Sequence, residues 1–136
     1  MPTETTSDAK QVVNRYLDAL TAGDIEAVRD CFAEDATWTI MADLPISGPW
    51  RGRDAIIDEF MGDLGGRLFQ AGNQSFEFEP LVADGPDVVL EWRFHARTAK
   101  GAEYNNRYCN FFVVRDGRIV EVREYVDSAY VERVLL

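Results

Sequence analysis

The sequence predicts an α+β domain in which helices cover one face of a bent antiparallel sheet. Three observations carry this. Apolar residues recur at helical spacing in the N-terminal part, they alternate at every second position in the C-terminal part, and glycine and proline punctuate the stretch between. Helices first and a strand meander last is the order of that class, whereas strict strand–helix alternation builds a parallel sheet.

The first helix is expected from Asp8 to Ala22, where Val12, Val13, Tyr16, Leu17 and Leu20 form one stripe and Gly23 supplies a left-handed stop. Asp24 is placed to cap a short second helix with Ala27, Val28, Cys31 and Phe32 inward. A brief strand, Ala36 to Met41, follows. Residues 42–52, ADLPISGPWRG, hold two prolines and two glycines and read as loop. Ile56, Ile57, Phe60, Met61 and Leu64 give a third helix that stops at Gly65-Gly66. Strands are then expected over Gln74 to Ala83, Val88 to Thr98, Glu103 to Val114 and Arg118 to Asp127, with Ser128 to Leu136 as a closing helix that Asp127 caps. A single domain over residues 1–136, with a loose polar tail over 1–7, accounts for the chain.

Acidic residues number 24 against 14 basic ones, for a net charge of -10. A field of that sign repels phosphate backbones and anionic lipid, so neither nucleic acid nor a membrane surface is expected as partner. Small neutral ligands stay open. No apolar run approaches the length of a membrane span and the N-terminus lacks a secretory pattern, which makes a cytoplasmic location the expectation. Cys31 and Cys109 have no metal or redox spacing, His95 is the sole histidine, and Gly65-Gly66 precedes no phosphate-loop lysine. Neither a metal nor a cofactor is expected.

Chemistry depends on which strand faces look inward. Tyr104, Asn106, Tyr108 and Asn110 share one face by alternation. A two-residue turn at Lys100-Gly101 sets His95 opposite Asn106, Arg93 opposite Tyr108 and Glu91 opposite Asn110. At the next hairpin, a two-residue Asp116-Gly117 turn pairs Asn110 with Arg123 and Tyr108 with Tyr125. A three-residue loop with Gly117 as a bulge pairs Asn110 with Val122 and Tyr108 with Glu124. One residue of slip exchanges the faces. Either the polar face meets water, or it lines an enclosed cavity while the apolar set around Leu90, Trp92, Phe94 and Phe111 is covered elsewhere; alternation leaves both open.

The stretch VVNRYLDALTAGDIEAVRDCFAEDATW, with SGPWRGRDAI and DGRIVEVREYVD, resembles the ketosteroid isomerase and SnoaL-like polyketide cyclase group of the cone-shaped nuclear transport factor fold. The resemblance implies a curved sheet wrapped around the N-terminal helices, an internal pocket, and a homodimer formed through the outer sheet face. It also places Arg93, His95, Asn106, Tyr108, Asn110, Val122, Glu124 and Val126 toward the pocket, favouring the bulged hairpin. In the isomerases a tyrosine and a protonated acid hold the developing oxyanion and a carboxylate is the base. Tyr16 matches the tyrosine, Asn110 stands at the acid position as a neutral donor, and Ile40 stands at the base position, where it accepts no proton.

The chain is also similar to limonene-type epoxide hydrolases. Arg93 matches their arginine, Glu124 the acid that serves as base, and His95 replaces the second acid, while Trp38 and Ile40 stand where water-holding side chains do. The implied activity is a cofactor-independent acid-base enzyme of isomerase, cyclase or epoxide-hydrolase type, acting on a small, largely apolar oxygenated molecule such as a polyketide or terpenoid. Glu124 is then base, His95 acid or shuttle, Arg93 their organiser, and Tyr16 with Asn110 the oxyanion donors. Tyr108, Asn106, Trp38, Ile40, Phe60, Phe112, Val122 and Val126 are the candidate substrate contacts. A non-catalytic ligand-binding or dimeric interaction module of the same fold is the competing reading.

Overall fold

Helix α1 (Thr6–Ala22) starts where Thr5, in extended conformation, accepts a hydrogen bond from Asp8 N on its side chain at 3.0 Å. The coordinates are a computed structural model that describes residues 5–136. Of the expected loose tail, residues 1–4 lie outside the described residues, and residues 5–7 instead form the cap and first turn of α1. The helix stops at Gly23, whose φ of 71° lets its N–H reach the carbonyls of Ala19 and Leu20. Asp24 accepts from Ala27 N at 3.2 Å and starts α2 (Ile25–Asp30).

Strand β1 (Phe32–Ile40) begins earlier than expected because Phe32 already pairs with the last long strand. β2 (Trp50–Arg51) returns against it, Trp38 opposite Trp50. Helix α3 comprises a π-wound stretch, Ala55–Leu64, and a closing α-turn, Gly65–Leu68. The expected stop at Gly65-Gly66 does not occur: Gly65 has helical angles (φ -57°, ψ -41°) and neither glycine turns left-handed. The single strand expected over 74–83 is two, β3 (Ser75–Phe78) and β4 (Val82–Asp84), parted around Pro80, which has no N–H to pair. Then come β5 (Asp87–Arg97), β6 (Glu103–Arg115), β7 (Arg118–Val126) and a closing helix α4, Ser128–Tyr130 continued as Val131–Leu135.

The strand order is β2-β1-β7-β6-β5-β3, with β4 also on β5. All pairings are antiparallel except β1 with β7, which is parallel, so the curved and unclosed sheet is mixed. Both hairpins between the long strands differ from expectation, in opposite senses. Between β5 and β6 the loop has three residues: Thr98 N bonds to Ala102 O at 2.8 Å, with Gly101 at φ 90°. Leu90 therefore faces Asn110, Trp92 faces Tyr108, Phe94 faces Asn106, and His95 faces Asn105. The expected pairing of Arg93 and His95 with Tyr108 and Asn106 is off by one residue, which turns β5 over.

Between β6 and β7 the loop has two residues, Asp116 (φ 51°) and Gly117 (φ 74°), both in the left-handed region that this tight turn demands. The extra residue sits inside β7 instead. Val114 pairs with Ile119 and Val113 with Glu121, leaving Val120 as a bulge. Beyond it Phe112 faces Val122, Asn110 faces Glu124 and Tyr108 faces Val126. The inward faces of β6 and β7 are those expected, but the expected pairs of Asn110 with Val122 and Tyr108 with Glu124 are off by two residues, because the loop keeps only two residues and the bulge lies at Val120, after two paired positions of β7.

Candidate active site

The inner sheet face and the helices line a cavity of about 530 Å³. Helix α1 brings Tyr16 and β1 brings Trp38 and Ile40; α3 brings Phe60, and the inner sheet face brings Trp92, Tyr108, Glu124 and Val126. Most of the wall is apolar. Among the described residues no Arg, Lys or His lines it, and Glu124 is its one carboxyl.

Glu124 reaches this place by alternation along β7, between Val122 and Val126, with Ile40 of β1 on one side and Asn110 of β6 on the other. It is 5 % exposed. Burial without a cationic partner disfavours the carboxylate and pushes the pKa up from 4.5 to about 8. Asn110 and Trp38 oppose this by favouring the charged form. Trp92 fixes the sense of Asn110: its indole Nε1 donates to Asn110 Oδ1 at 3.1 Å, which leaves the amide NH₂ as the group to face Glu124. The buried Trp38 Nε1 meets no acceptor at good hydrogen-bond geometry, so its pull on Glu124 is the looser of the two.

Tyr16 packs edge-on against Phe32 (ring centroids 5.5 Å apart) and beside Phe112 (5.7 Å). Burial, and then the neighbouring Glu124, raise its pKa, so the phenol keeps its proton and is a donor. Its hydroxyl makes no hydrogen bond among the described residues, although the ring lines the cavity. On β6, Tyr104 Oη and Tyr108 Oη are 2.7 Å apart and Asn106 Nδ2 donates to Tyr104 Oη at 2.9 Å. The Tyr108 ring stacks on Trp92 with centroids 4.2 Å apart.

Arg93 and His95 do not join this group. They lie on the outer face of β5, where His95 Nδ1 meets Asn105 Oδ1 at 2.7 Å and Nε2 pairs with Glu77. The three-residue loop that turns β5 over is the reason. Asn110 and Asn106 are buried behind the cavity wall, and Phe112 and Val122 are fully buried in the core beneath it, so none of these four touches the cavity space. Tyr16, Trp38, Ile40, Phe60, Tyr108, Glu124 and Val126 do line it.

Trp92 and Tyr104 also line the cavity, although neither was among the expected site residues. Tyr104 shares the face of β6 expected to look inward, and for Trp92 the signal is the alternation of large apolar side chains at Leu90, Trp92 and Phe94, read with the three-residue loop.

The family model of the SnoaL-like domain matches residues 13–122. No curated protein sequence matches the chain significantly. Among solved structures, an NTF2-like protein of unknown function from Burkholderia pseudomallei is similar at 19% identity and a TM-score of 0.81, covering 94% of this chain and 97% of that one. An LEH-like epoxide hydrolase from M. tuberculosis is similar at 22% identity and a TM-score of 0.75, covering 96% and 90%. A candidate SnoaL-like polyketide cyclase from Jannaschia sp. CCS1 is similar at 15% identity and a TM-score of 0.80, covering 99% and 96%. These likenesses show a shared fold.

Proposed function

The chain belongs to the SnoaL-like domain family, and from that premise we propose that it is a cofactor-independent enzyme that moves one proton on a small, largely apolar oxygenated molecule of polyketide or terpenoid type. The observation that carries this reading is Glu124, a lone carboxyl in an apolar cavity with its pKa pushed up to about 8. Such a group is a base when ionised and an acid when protonated, and near neutral pH both forms are populated.

In the proposed step the Glu124 carboxylate takes a proton from a carbon next to a carbonyl. The bond's electrons pass to the carbonyl oxygen, where the Tyr16 hydroxyl donates to the developing oxyanion. The protonated Glu124 then returns the proton at another carbon, which is isomerisation, or the enolate carbon bonds to a second carbonyl carbon of the molecule, whose π electrons pass to its oxygen and take the proton from Glu124, which is cyclisation. Asn110 acts from behind by orienting Glu124.

A one-carboxyl cavity suits these reactions better than epoxide opening, which needs an acid for the leaving oxygen as well as a base for water. With Arg93 and His95 on the other face, no second carboxyl, arginine or histidine lines the cavity among the described residues, and the phenols there hold their protons too tightly to act as the acid. The test is proton exchange in deuterated water: cyclic aryl ketones and β,γ-unsaturated cyclic ketones incubated with the protein should take up deuterium beside the carbonyl. Glu124→Gln should slow this by about 10²-fold or more. If no ketone exchanges faster than in buffer while ketones still bind, the protein is a binding module and the proposal falls.

A further inference from the structure

The hydroxyl pair on β6 has a defined direction. Asn106 Oδ1 accepts from Arg107 N at 2.8 Å, and its Nδ2 donates to Tyr104 Oη at 2.9 Å, with a longer 3.4 Å contact to Asp127 O. Both contacts assign the amide the same way round, so Tyr104 Oη is an acceptor from Asn106. Tyr104 is fully buried, and among the described residues the one acceptor within reach of its own proton is Tyr108 Oη, 2.7 Å away. Were Tyr108 the donor of that bond, the Tyr104 proton would be left buried without a partner, at a cost that buried hydroxyls rarely bear. Tyr104 therefore donates to Tyr108.

The Tyr108 proton is then the one left over. Tyr108 lines the cavity, and its ring is held flat against Trp92. We propose that the Tyr108 hydroxyl is a preset donor for an acceptor oxygen of the ligand, a carbonyl, quinone or ether oxygen, and that Asn106 and Tyr104 are the positioning residues that aim it. A chain of hydroxyls donating in one sense strengthens its terminal donor. Burial raises the pKa of both phenols, so each keeps the proton this arrangement requires. A ligand offering a donor at this point, such as an amine or a phenol whose own proton must point at Tyr108, meets the wrong partner.

The inference rests on the cavity of the proposed enzyme being its ligand site, and not on Glu124 performing chemistry there. It is tested by binding 1-tetralone and tetralin, and 9-fluorenone and fluorene, which differ within each pair by the carbonyl. The unaltered protein should prefer the ketone about fivefold, the worth of one net hydrogen bond. Tyr108→Phe, which keeps the stack on Trp92, should remove the preference while leaving hydrocarbon affinity in place.

As a second measurement, tyrosine labelled with ¹³C at Cζ should show the Tyr108 resonance moving on addition of 1-tetralone and staying still with tetralin. A ketone preference that survives Tyr108→Phe, an unmoved Tyr108 resonance, or no ketone preference in either pair overturns the proposal. Deuterium exchange that fails while the Tyr108-dependent preference holds overturns the catalytic reading alone.

Discussion

The two faces of strands β5 to β7 each present a group that binds its proton more tightly than usual, Glu124 inside and His95 outside, and they do so for opposite reasons. At His95 the hydrogen bonds to Asn105 and then Glu77 favour the charged imidazolium on a partly exposed surface. At Glu124 burial favours the neutral acid. A raised pKa thus means a stabilised charge on one face and a suppressed charge on the other. Only the suppressed one is enclosed beside a cavity, where releasing the proton creates a poorly solvated base.

Activity should separate the faces most sharply. Glu124→Gln is expected to cut ketone exchange by about 10²-fold or more, whereas His95→Ala and Arg93→Ala should change it less than about 2-fold. A large loss on removing His95 would place the working proton carrier on the outer face instead. Stability should separate them next. Because Glu124 is protonated more readily in the folded chain than in the unfolded one, it costs nothing below pH 4.5, and its cost grows as pH rises to about 8. Urea unfolding should show Glu124→Gln gaining on the order of 3–5 kcal/mol relative to the unaltered protein between acid and pH 9.

A smaller effect is expected at Trp92→Phe. Without the indole N–H the Asn110 amide is free to turn, the Glu124 carboxylate loses support, and its titration moves further up. The pH profile of exchange should shift upward and the rate at neutral pH fall by about 3- to 10-fold. The smallest effect belongs to the outer face. Glu77→Gln should lower the His95 pKa toward its ordinary value, read from its ring proton resonances, and change stability by less than about 0.5 kcal/mol. The sign differs from that of a depressed carboxylate: His95 stabilises fully below its unfolded pKa and loses this as pH rises through the folded one.

Much of the fold was legible because it rests on local patterns. Gly23, Asp24 and Asp127 punctuate the helices by chemistry that one residue carries, whereas the cap at Thr5 lay in a stretch too polar to read as helix. The site was legible only where strand register was, and register depends on a loop conformation that several sequences satisfy. Lys100-Gly101 looks like a two-residue turn, yet Thr98 closes a three-residue loop through its N–H to Ala102 O, and its Oγ1 accepts from Ala102 N at 3.0 Å. That one residue exchanged Arg93 and His95 for Trp92 and Phe94 on the inner face.

At the second hairpin the Val120 bulge restored the parity that the Asp116-Gly117 turn would have reversed. Glu124 stayed inward for a reason that no turn motif reveals. A bulge inside a strand of β-branched residues leaves no composition signal, whereas a glycine at a turn does.

The most direct test of the account is the titration of Glu124 itself. In protein labelled with ¹³C at glutamate Cδ, the Glu124 resonance, assigned by its loss in Glu124→Gln, should titrate with a midpoint at about 8. A midpoint near 4.5, the ordinary value for the side chain, would mean that the carboxyl is solvated or paired with a cation, and the enclosed proton carrier would not exist.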